Sequence, residues 1–334
     1  MSTRIATVSG MAVATAIALA AVTACASSSS SSTSAATSTS ASATVSASAT
    51  VSASSSSNPL SGGGASGSVV VGSANFPESE LLAEVYALAL QDKGVKATTK
   101  LNIGSREIYY PQMVKGAITI FPEYNGALLS GEVDKTSTAK STAAVDAALT
   151  AKLPSSLVIL NPASAQDSDS ITVTAATAAK YHLKTIADLA PYAKNWVLGA
   201  PPEFKTRPDG LAGLKANYGL VFKSFDPLGD ESGPITIAAL TNGTVQAADV
   251  FTTTPQIITD KLVSLADPKA NFAAQNVIPL VYKPALTSTI TATLNAVSAK
   301  LTTSALLQMD NAVITDKANY STVAAGFLKA AGLS

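Results

Sequence analysis

Three short segments with polar and aromatic side chains each follow a predicted β-strand. They are residues 72–76 (Gly-Ser-Ala-Asn-Phe), 102–106 (Asn-Ile-Gly-Ser-Arg) and 122–126 (Pro-Glu-Tyr-Asn-Gly). Ligands of open α/β sheets bind beyond the carboxyl ends of the strands. The second segment also leads into a predicted helix N-terminus, where free backbone amides could hold an anion. Each segment alone could be an ordinary turn, but three at equivalent strand ends predict a small-molecule site.

Arginine is rare in this chain, and two arginines lie close to candidate segments. Arg207 precedes a proline-containing turn, and Arg106 begins a predicted helix. The planar guanidinium group suits bidentate binding of a carboxylate. We therefore expect Arg207 to have a geometric role. For Arg106 two alternatives stay open, namely contact with a ligand or pairing with Glu107 or Glu123.

The inventory of catalytic side chains is poor. One cysteine and one histidine, His182, occur, which excludes a disulfide framework, a Cys/His zinc site and a Cys–His catalytic pair. No G-x-S-x-G, P-loop or H-E-x-x-H motif is present. Asp167 and Asp169 could bind a cation or do acid–base work, although paired aspartates in a polar loop are commonly just solvated. The sequence favours a binding protein over an enzyme and predicts neither a cofactor nor a metal site.

The charge balance argues against nucleic acid as a partner. The chain has 334 residues, with 22 basic and 22 acidic side chains, and therefore a formal charge of zero. Binding to nucleic acid depends on a basic surface that neutralises phosphates. With 47% hydrophobic residues, the chain has ample material for a packed core.

The N-terminal region has the composition of a targeting and tethering segment. Residues 1–24 read as a signal peptide with a positive start and an apolar run. Residues 22–25 (Val-Thr-Ala-Cys) are similar to a bacterial lipobox, and Cys25 is the single cysteine of the chain. Residues 25–67 are almost wholly Ser, Ala, Thr, Val and Gly, a composition that predicts a disordered linker. We expect a protein anchored to the cell membrane by lipid on Cys25 and exposed on the extracytoplasmic face.

From residue 68 onward, predicted strands and helices alternate. Strands are predicted at 69–71, 96–101 and 118–121, with helices opening at Pro77 and spanning 106–115. This βαβαβ order implies a parallel sheet. Three helical stretches without an intervening strand close the chain at 288–300, 304–313 and 320–331. About 265 residues of this kind predict two α/β lobes with a ligand cleft between them.

Five motifs together resemble a known family, the substrate-binding proteins of osmoprotectant ABC importers. The motifs lie at residues 72–79, 101–107, 121–126, 202–210 and 294–298. The family captures glycine betaine, choline or carnitine and delivers it to an ABC permease with its ATPase. The resemblance implies a two-lobed, type II periplasmic-binding-protein fold with C-terminal helices, acting as a monomer. We expect residues 68–165 and 281–334 to form lobe 1 and residues 166–280 to form lobe 2.

The resemblance also implies roles for individual residues. Betaine-specific members enclose the trimethylammonium group in tyrosine rings by cation–π attraction, and an arginine holds the carboxylate. Tyr124 matches one ring and Arg207 the arginine, whereas Asp169, Phe251 and Gln275 stand at or near the other ring positions. Two rings therefore remain where four are expected. The complete set of expected ligand contacts is Ser73, Ala74, Asn75, Phe76, Ser105, Tyr124, Asp167, Asp169, Arg207, Phe251, Thr252 and Gln275.

The incomplete ring set leaves a second hypothesis for the ligand. Asp, Gln and Asn side chains can satisfy several donors and acceptors of a hydroxyl-rich molecule. The alternative function is therefore the same fold used as a carrier or sensor of a polyol or a plant-derived compound.

Overall fold

A computed structural model describes residues 68–334 of the chain. The predicted signal peptide, Cys25 and the predicted linker over residues 25–67 lie outside the described residues. Within residues 68–334, no helix combines the length and the apolar character needed to cross a membrane.

Strands and helices alternate along most of the described chain. The strands are β1 (Ser68–Gly72), β2 (Lys96–Lys100), β3 (Ile120–Tyr124), β4 (Leu157–Ile159), β5 (Ile171–Thr174), β6 (Val197–Ala200), β7 (Ser224–Pro227), β8 (Ala247–Asp249), β9 (Leu262–Ser264) and β10 (Val277–Tyr282). The helices are α1 (Pro77–Asp92), α2 (Arg106–Val114), α3 (Asn125–Leu128), α4 (Thr142–Lys152), α5 (Ala175–Tyr181), α6 (Leu211–Tyr218), α7 (Pro234–Thr241), α8 (Gln256–Thr259), α9 (Ser288–Lys300), α10 (Thr303–Asp310) and α11 (Tyr320–Ala331).

The strands form two separate five-stranded sheets, one in each lobe. The first has the order β2-β1-β3-β10-β4 and the second the order β7-β6-β8-β5-β9. In the first sheet β1 pairs in parallel with β2 and β3, as the βαβαβ pattern predicts, whereas β10 pairs antiparallel with β3 and β4. The second sheet is likewise mixed, because β5 runs antiparallel to β8 and β9.

The chain passes between the two sheets twice. It leaves the first sheet after β4 and returns between β9 and β10, and the two crossing segments are joined by an antiparallel bridge between Gln166 and Asn276. The predicted lobe boundary at residue 280 falls inside β10, which belongs to the first sheet. The return therefore occurs before Val277, a few residues earlier than expected, because the apolar run at 277–282 pairs with β3.

Each sheet is covered by helices on both faces. One face of the first sheet packs against α1, α9, α10 and α11, where Leu82, Leu294 and Leu306 are fully buried. Its other face packs against α2, α3 and α4. The second sheet has α5 and α6 on one face and α7 on the other. Burial on both faces explains why interior strands such as β1 and β10 are apolar runs, whereas the edge strand β2 is polar and mostly exposed.

Candidate functional site

A narrow cleft, partly open to solvent, lies between the lobes at the carboxyl ends of β1 and β3. It contains most of the side chains that the sequence predicts for the site. The predicted residues that line it are Ala74, Asn75, Phe76, Ser105, Tyr124, Asp167, Asp169, Arg207, Phe251 and Gln275. Four further lining residues are absent from the predicted set, namely Arg106, Tyr109, Ala127 and Glu231.

Two predicted residues, Ser73 and Thr252, do not line the cleft but form hydrogen bonds within its loops. The Ser73 hydroxyl is fully buried and accepts a hydrogen bond from the Asn102 backbone at 2.8 Å, which ties the first two candidate segments together. Thr252 exchanges hydrogen bonds with Ser168, since its backbone amide donates to the Ser168 carbonyl and its hydroxyl accepts from the Ser168 amide. Both residues position the loops that carry the lining side chains.

The third candidate segment is not a loop. Residues 122–124 belong to β3, and Asn125 begins α3 directly. The fully buried Asn125 side chain accepts hydrogen bonds at 2.8 Å from the amides of Gly126 and Asn276, and it donates to Asp146 at 2.7 Å. Pairing with β10 extends the strand to Tyr124, so the side chain of Tyr124 is presented from a rigid strand end.

Three aromatic rings meet in the cleft. Phe76 and Tyr124 come from lobe 1, with ring centroids 6.1 Å apart, and Phe251 comes from lobe 2. The rings of Phe76 and Phe251 meet edge to face at 5.4 Å. Tyr109 also lines the cleft, so Phe76 and Tyr109 add two rings to the two counted from the sequence.

Buried carboxyl groups lie behind the rings. Glu78 accepts a hydrogen bond from the Tyr124 hydroxyl at 2.5 Å and another from the Thr253 hydroxyl of lobe 2 at 2.7 Å. Burial raises the pKa of Glu78, although hydrogen bonds to Asp310, Tyr124 and Thr253 act in the opposite direction. Burial, and then the nearby Glu78, also raise the pKa values of Asp167 and Asp310. We expect this cluster to retain at least one proton.

Arg106 has a structural partner inside lobe 1. Its guanidinium donates from Nε to Glu123 Oε1 at 3.0 Å and from Nη2 to Oε2 at 3.1 Å. The Tyr109 hydroxyl donates to the same carboxylate at 2.7 Å, and so does the Tyr124 amide at 2.9 Å. Glu123 is completely buried. Of the two alternatives for Arg106, the pair with Glu123 is the one observed.

Arg207 also meets a carboxylate of the protein. Its Nε donates to Oε1 of Glu107 at 3.1 Å and its Nη2 donates to Oε2 at 3.3 Å. Glu107 lies in the first turn of α2 in lobe 1, whereas Arg207 lies in the turn before α6 in lobe 2. The pair therefore joins the two lobes at the edge of the cleft.

The remaining cleft carboxylates have few partners. Asp169 accepts a hydrogen bond from Gln275 Nε2 at 2.7 Å. Asp249, beside it, is 1% exposed, and neither of its carboxyl oxygens has a hydrogen-bond partner. Burial, followed by the charge of Asp169, raises the pKa of Asp249 well above its ordinary value. Burial also raises the pKa of Glu231 to about 7, although Arg207 opposes the shift.

Sequence signals were available for only some of the missed residues. Tyr109 lies three residues after Arg106 and therefore on the same face of α2, a spacing that could have placed it in the site. Glu231 lies in an irregular turn with a positive φ of 46°, and no local pattern marks it. Among residues 68–334, no group of His, Cys, Asp and Glu side chains has the arrangement of a metal site.

The sequence is similar to those of known substrate-binding proteins of transporters. A sequence model of the substrate binding domain of ABC-type glycine betaine transport systems matches residues 67–330. The glycine betaine-binding protein YehZ of Escherichia coli (strain K12) is 28% identical over 280 residues, covering 80% of this chain and 92% of YehZ. The ergothioneine transport permease/ergothioneine binding protein EgtU of Helicobacter pylori (strain G27) is 25% identical over 208 residues, or 61% of this chain and 36% of EgtU.

The fold also has a solved counterpart. A crystal structure of a glycine betaine/carnitine/choline ABC transporter protein matches with a TM-score of 0.63 at 24% identity, covering 79% of this chain and 99% of that chain. The predicted two-lobed, type II periplasmic-binding-protein fold is confirmed.

Proposed function

Because the chain belongs to the family of substrate-binding domains of ABC-type glycine betaine transport systems, we propose that it captures a small quaternary ammonium compound such as glycine betaine or choline. Family membership confirms the predicted class, a substrate-binding protein of an ABC importer. In the proposed mechanism the ligand enters the cleft, the lobes close around it, and the closed form docks on a permease with its ATPase. The proposal assigns no catalytic step to the chain.

The convergence of three rings and several carboxyl groups on one cleft carries this proposal. Phe76, Tyr124 and Phe251 supply aromatic faces from both lobes. Each ring contributes about 0.5–2 kcal/mol to the binding of a cation. Asp167 and Asp169 line the same cleft, and a carboxyl group there attracts a cation when it is ionised. A methylated ammonium group fits both features, because it is a cation with an apolar surface.

Calorimetric titration of the full chain with glycine betaine, choline and carnitine tests the proposal. We expect at least one of the three to bind and to raise the midpoint of thermal unfolding. Phe251→Ala should weaken that ligand by about 2- to 30-fold, because it removes one ring. Phe222→Ala makes the same change at a partly buried ring of lobe 2 outside the cleft and should leave affinity unchanged. Absence of binding by all three compounds would refute the proposal.

A donor-rich ligand is the second candidate, and one observation favours it. The side-chain oxygen of Asn75 is buried, faces the cleft and lacks a hydrogen-bond partner. Together with Asp169 and Glu231, it offers acceptors to hydroxyl groups. If a polyol stabilises the chain in the same thermal assay and the ammonium compounds do not, this second function is supported.

Membrane attachment is a separate part of the proposal. The lipobox-like residues 22–25 and the composition of residues 25–67 support attachment by lipid on Cys25 at the extracytoplasmic face, and the resemblance to the family implies a monomer. Mass spectrometry of the mature protein extracted from membranes tests this. An N-terminal acylated Cys25 is expected, and an unmodified N-terminus elsewhere would contradict it.

A further inference from the structure

The resemblance implies that Arg207 binds the carboxylate of the ligand. In the structure Arg207 binds the carboxylate of Glu107 instead. Both nitrogens of the Arg207 fork that face Glu107 are engaged, at 3.1 and 3.3 Å. The Arg207 side chain is only 16% exposed. This bidentate geometry is the one that an arginine uses to bind a carboxylate. In the described arrangement, the carboxylate on Arg207 belongs to the protein itself.

The charge balance of the cleft points in the same direction. Arg106, the other arginine of the lining, is neutralised by the buried Glu123. With both guanidinium groups paired, the remaining ionisable carboxyl groups along the lining are Asp167, Asp169 and Glu231. A carboxylate brought by a zwitterionic ligand would therefore find no unpaired cation among the described residues of the lining. A cation without a carboxylate needs no such partner.

Glu107 keeps its charge under ordinary conditions. Burial favours its neutral form, but the hydrogen bond and charge of Arg207 outweigh burial and bring the pKa of Glu107 to about 2. The pair thus persists at every pH at which the protein would act. A ligand carboxylate that displaced Glu107 would leave this half-buried charge without its partner, which is costly.

We propose that Glu107 is a specificity-determining residue that occupies Arg207 and makes the cleft select cationic ammonium ligands without a carboxylate over zwitterionic ones. This inference rests on the proposed function and narrows its substrate class. Choline and glycine betaine are matched probes, because both carry a trimethylammonium group and only glycine betaine carries a carboxylate.

Titration calorimetry of both probes against the full chain and its variants tests the role of Glu107. The parent should bind choline at least about tenfold more tightly than glycine betaine. Glu107→Gln should shift the ratio of the two affinities by about tenfold toward glycine betaine, because it frees Arg207 for the carboxylate of glycine betaine, whereas the loss of the contact between the lobes affects both probes equally. Asp134→Asn removes one negative charge and one ion pair elsewhere in lobe 1 and should leave both affinities unchanged.

Substitution of Arg207, the partner of Glu107, provides a second test that does not depend on the folding of the Glu107 variant. Arg207→Ala removes a contact between the lobes and should weaken both probes, but it should leave the ratio of their affinities unchanged within about threefold, since in the parent Arg207 holds Glu107 and neither probe. If the parent prefers glycine betaine and Arg207→Ala abolishes its binding while Glu107→Gln does not improve it, Arg207 is the ligand clamp and the inference is wrong. If neither probe binds the parent, the inference is wrong, and the proposed function fails as well only if carnitine also does not bind.

Discussion

At the scale of single residues, the buried Glu231 makes the stability of the folded protein depend on pH. Burial raises the pKa of Glu231 from 4.5 to about 7. The folded state therefore holds a proton between about pH 4.5 and 7 that the unfolded state has released. The free energy of unfolding falls as the pH rises through this window, because ionisation of the buried Glu231 carboxyl group destabilises the folded state. Below pH 4.5 both states are protonated and the cost vanishes.

Glu231→Gln should remove this cost. Urea unfolding of the variant and the parent should give equal stabilities near pH 4 and a variant more stable by up to about 3 kcal/mol at pH 8, since one pKa unit corresponds to about 1.4 kcal/mol. Asp92→Asn, at an exposed position, is the control and should show no such trend. Parallel stability curves for Glu231→Gln and the parent between pH 4 and 8 would contradict the prediction.

The residues of the cleft differ in how far sequence could locate them. Tyr124, Asp169 and Gln275 were placed in one site from motif resemblance, and they line one cleft. The partner of Arg207 was not foreseeable, because Glu107 lies 100 residues earlier and meets it only when the lobes approach. Pairings set by tertiary contact leave no local pattern in the sequence.

At the scale of elements, β7, β9 and β10 were not predicted from the sequence, and β10 lies in the interior of its sheet. Its apolar run contains Pro279, and a proline argues against a central strand because it cannot donate to the ladder. In the structure Pro279 lies opposite Pro122 of β3. Hydrogen-bonded and non-hydrogen-bonded pairs alternate along an antiparallel ladder. Counting from the hydrogen-bonded pair of Asn125 and Asn276, the two prolines lie opposite each other at a non-hydrogen-bonded position. Neither proline therefore removes a hydrogen bond from the β3–β10 ladder.

The packing of α3 against the second crossing segment depends on Gly126. A Cβ added at Gly126 would lie 2.3 Å from the backbone oxygen of Ala274. Gly126→Ala should therefore force α3 and the crossing apart and lower the free energy of unfolding by about 1–3 kcal/mol, as measured by urea denaturation.

Gly326→Ala is the matched control for that substitution. Gly326 lies inside α11, and an added Cβ would meet no atom within 4 Å. The free energy of unfolding of this variant should rise by about 0.5–1 kcal/mol, because alanine restricts the unfolded chain more than glycine does. Equal stabilities of Gly126→Ala and the parent would show that the crossing segment shifts without cost.

At the scale of the whole molecule, several polar contacts join the two lobes. These contacts are Glu78–Thr253 at 2.7 Å, Arg207–Glu107 at 3.1 Å and Ser130–Asp209 at 2.9 Å. The two-lobed architecture followed from the sequence, because alternating elements and length restrict the possible arrangements. The contacts between lobes did not, since each joins residues far apart in the chain. Substitution of a residue in one of these contacts tests how much that contact contributes to closure of the lobes.

Thr253→Val removes the bond between the lobes that lies nearest the aromatic rings. Valine keeps the shape of threonine but cannot donate to Glu78, so the closed form should lose about 1–2 kcal/mol. Small-angle X-ray scattering should then show a larger radius of gyration without ligand and a return to the parent value at saturation. Because the ligand must supply this lost energy, its affinity should fall by about 5- to 30-fold. Thr254→Val, the same change one residue along, leaves the Glu78 bond intact and is the control. Identical scattering curves and affinities for Thr253→Val and the parent would show that this bond does not govern closure.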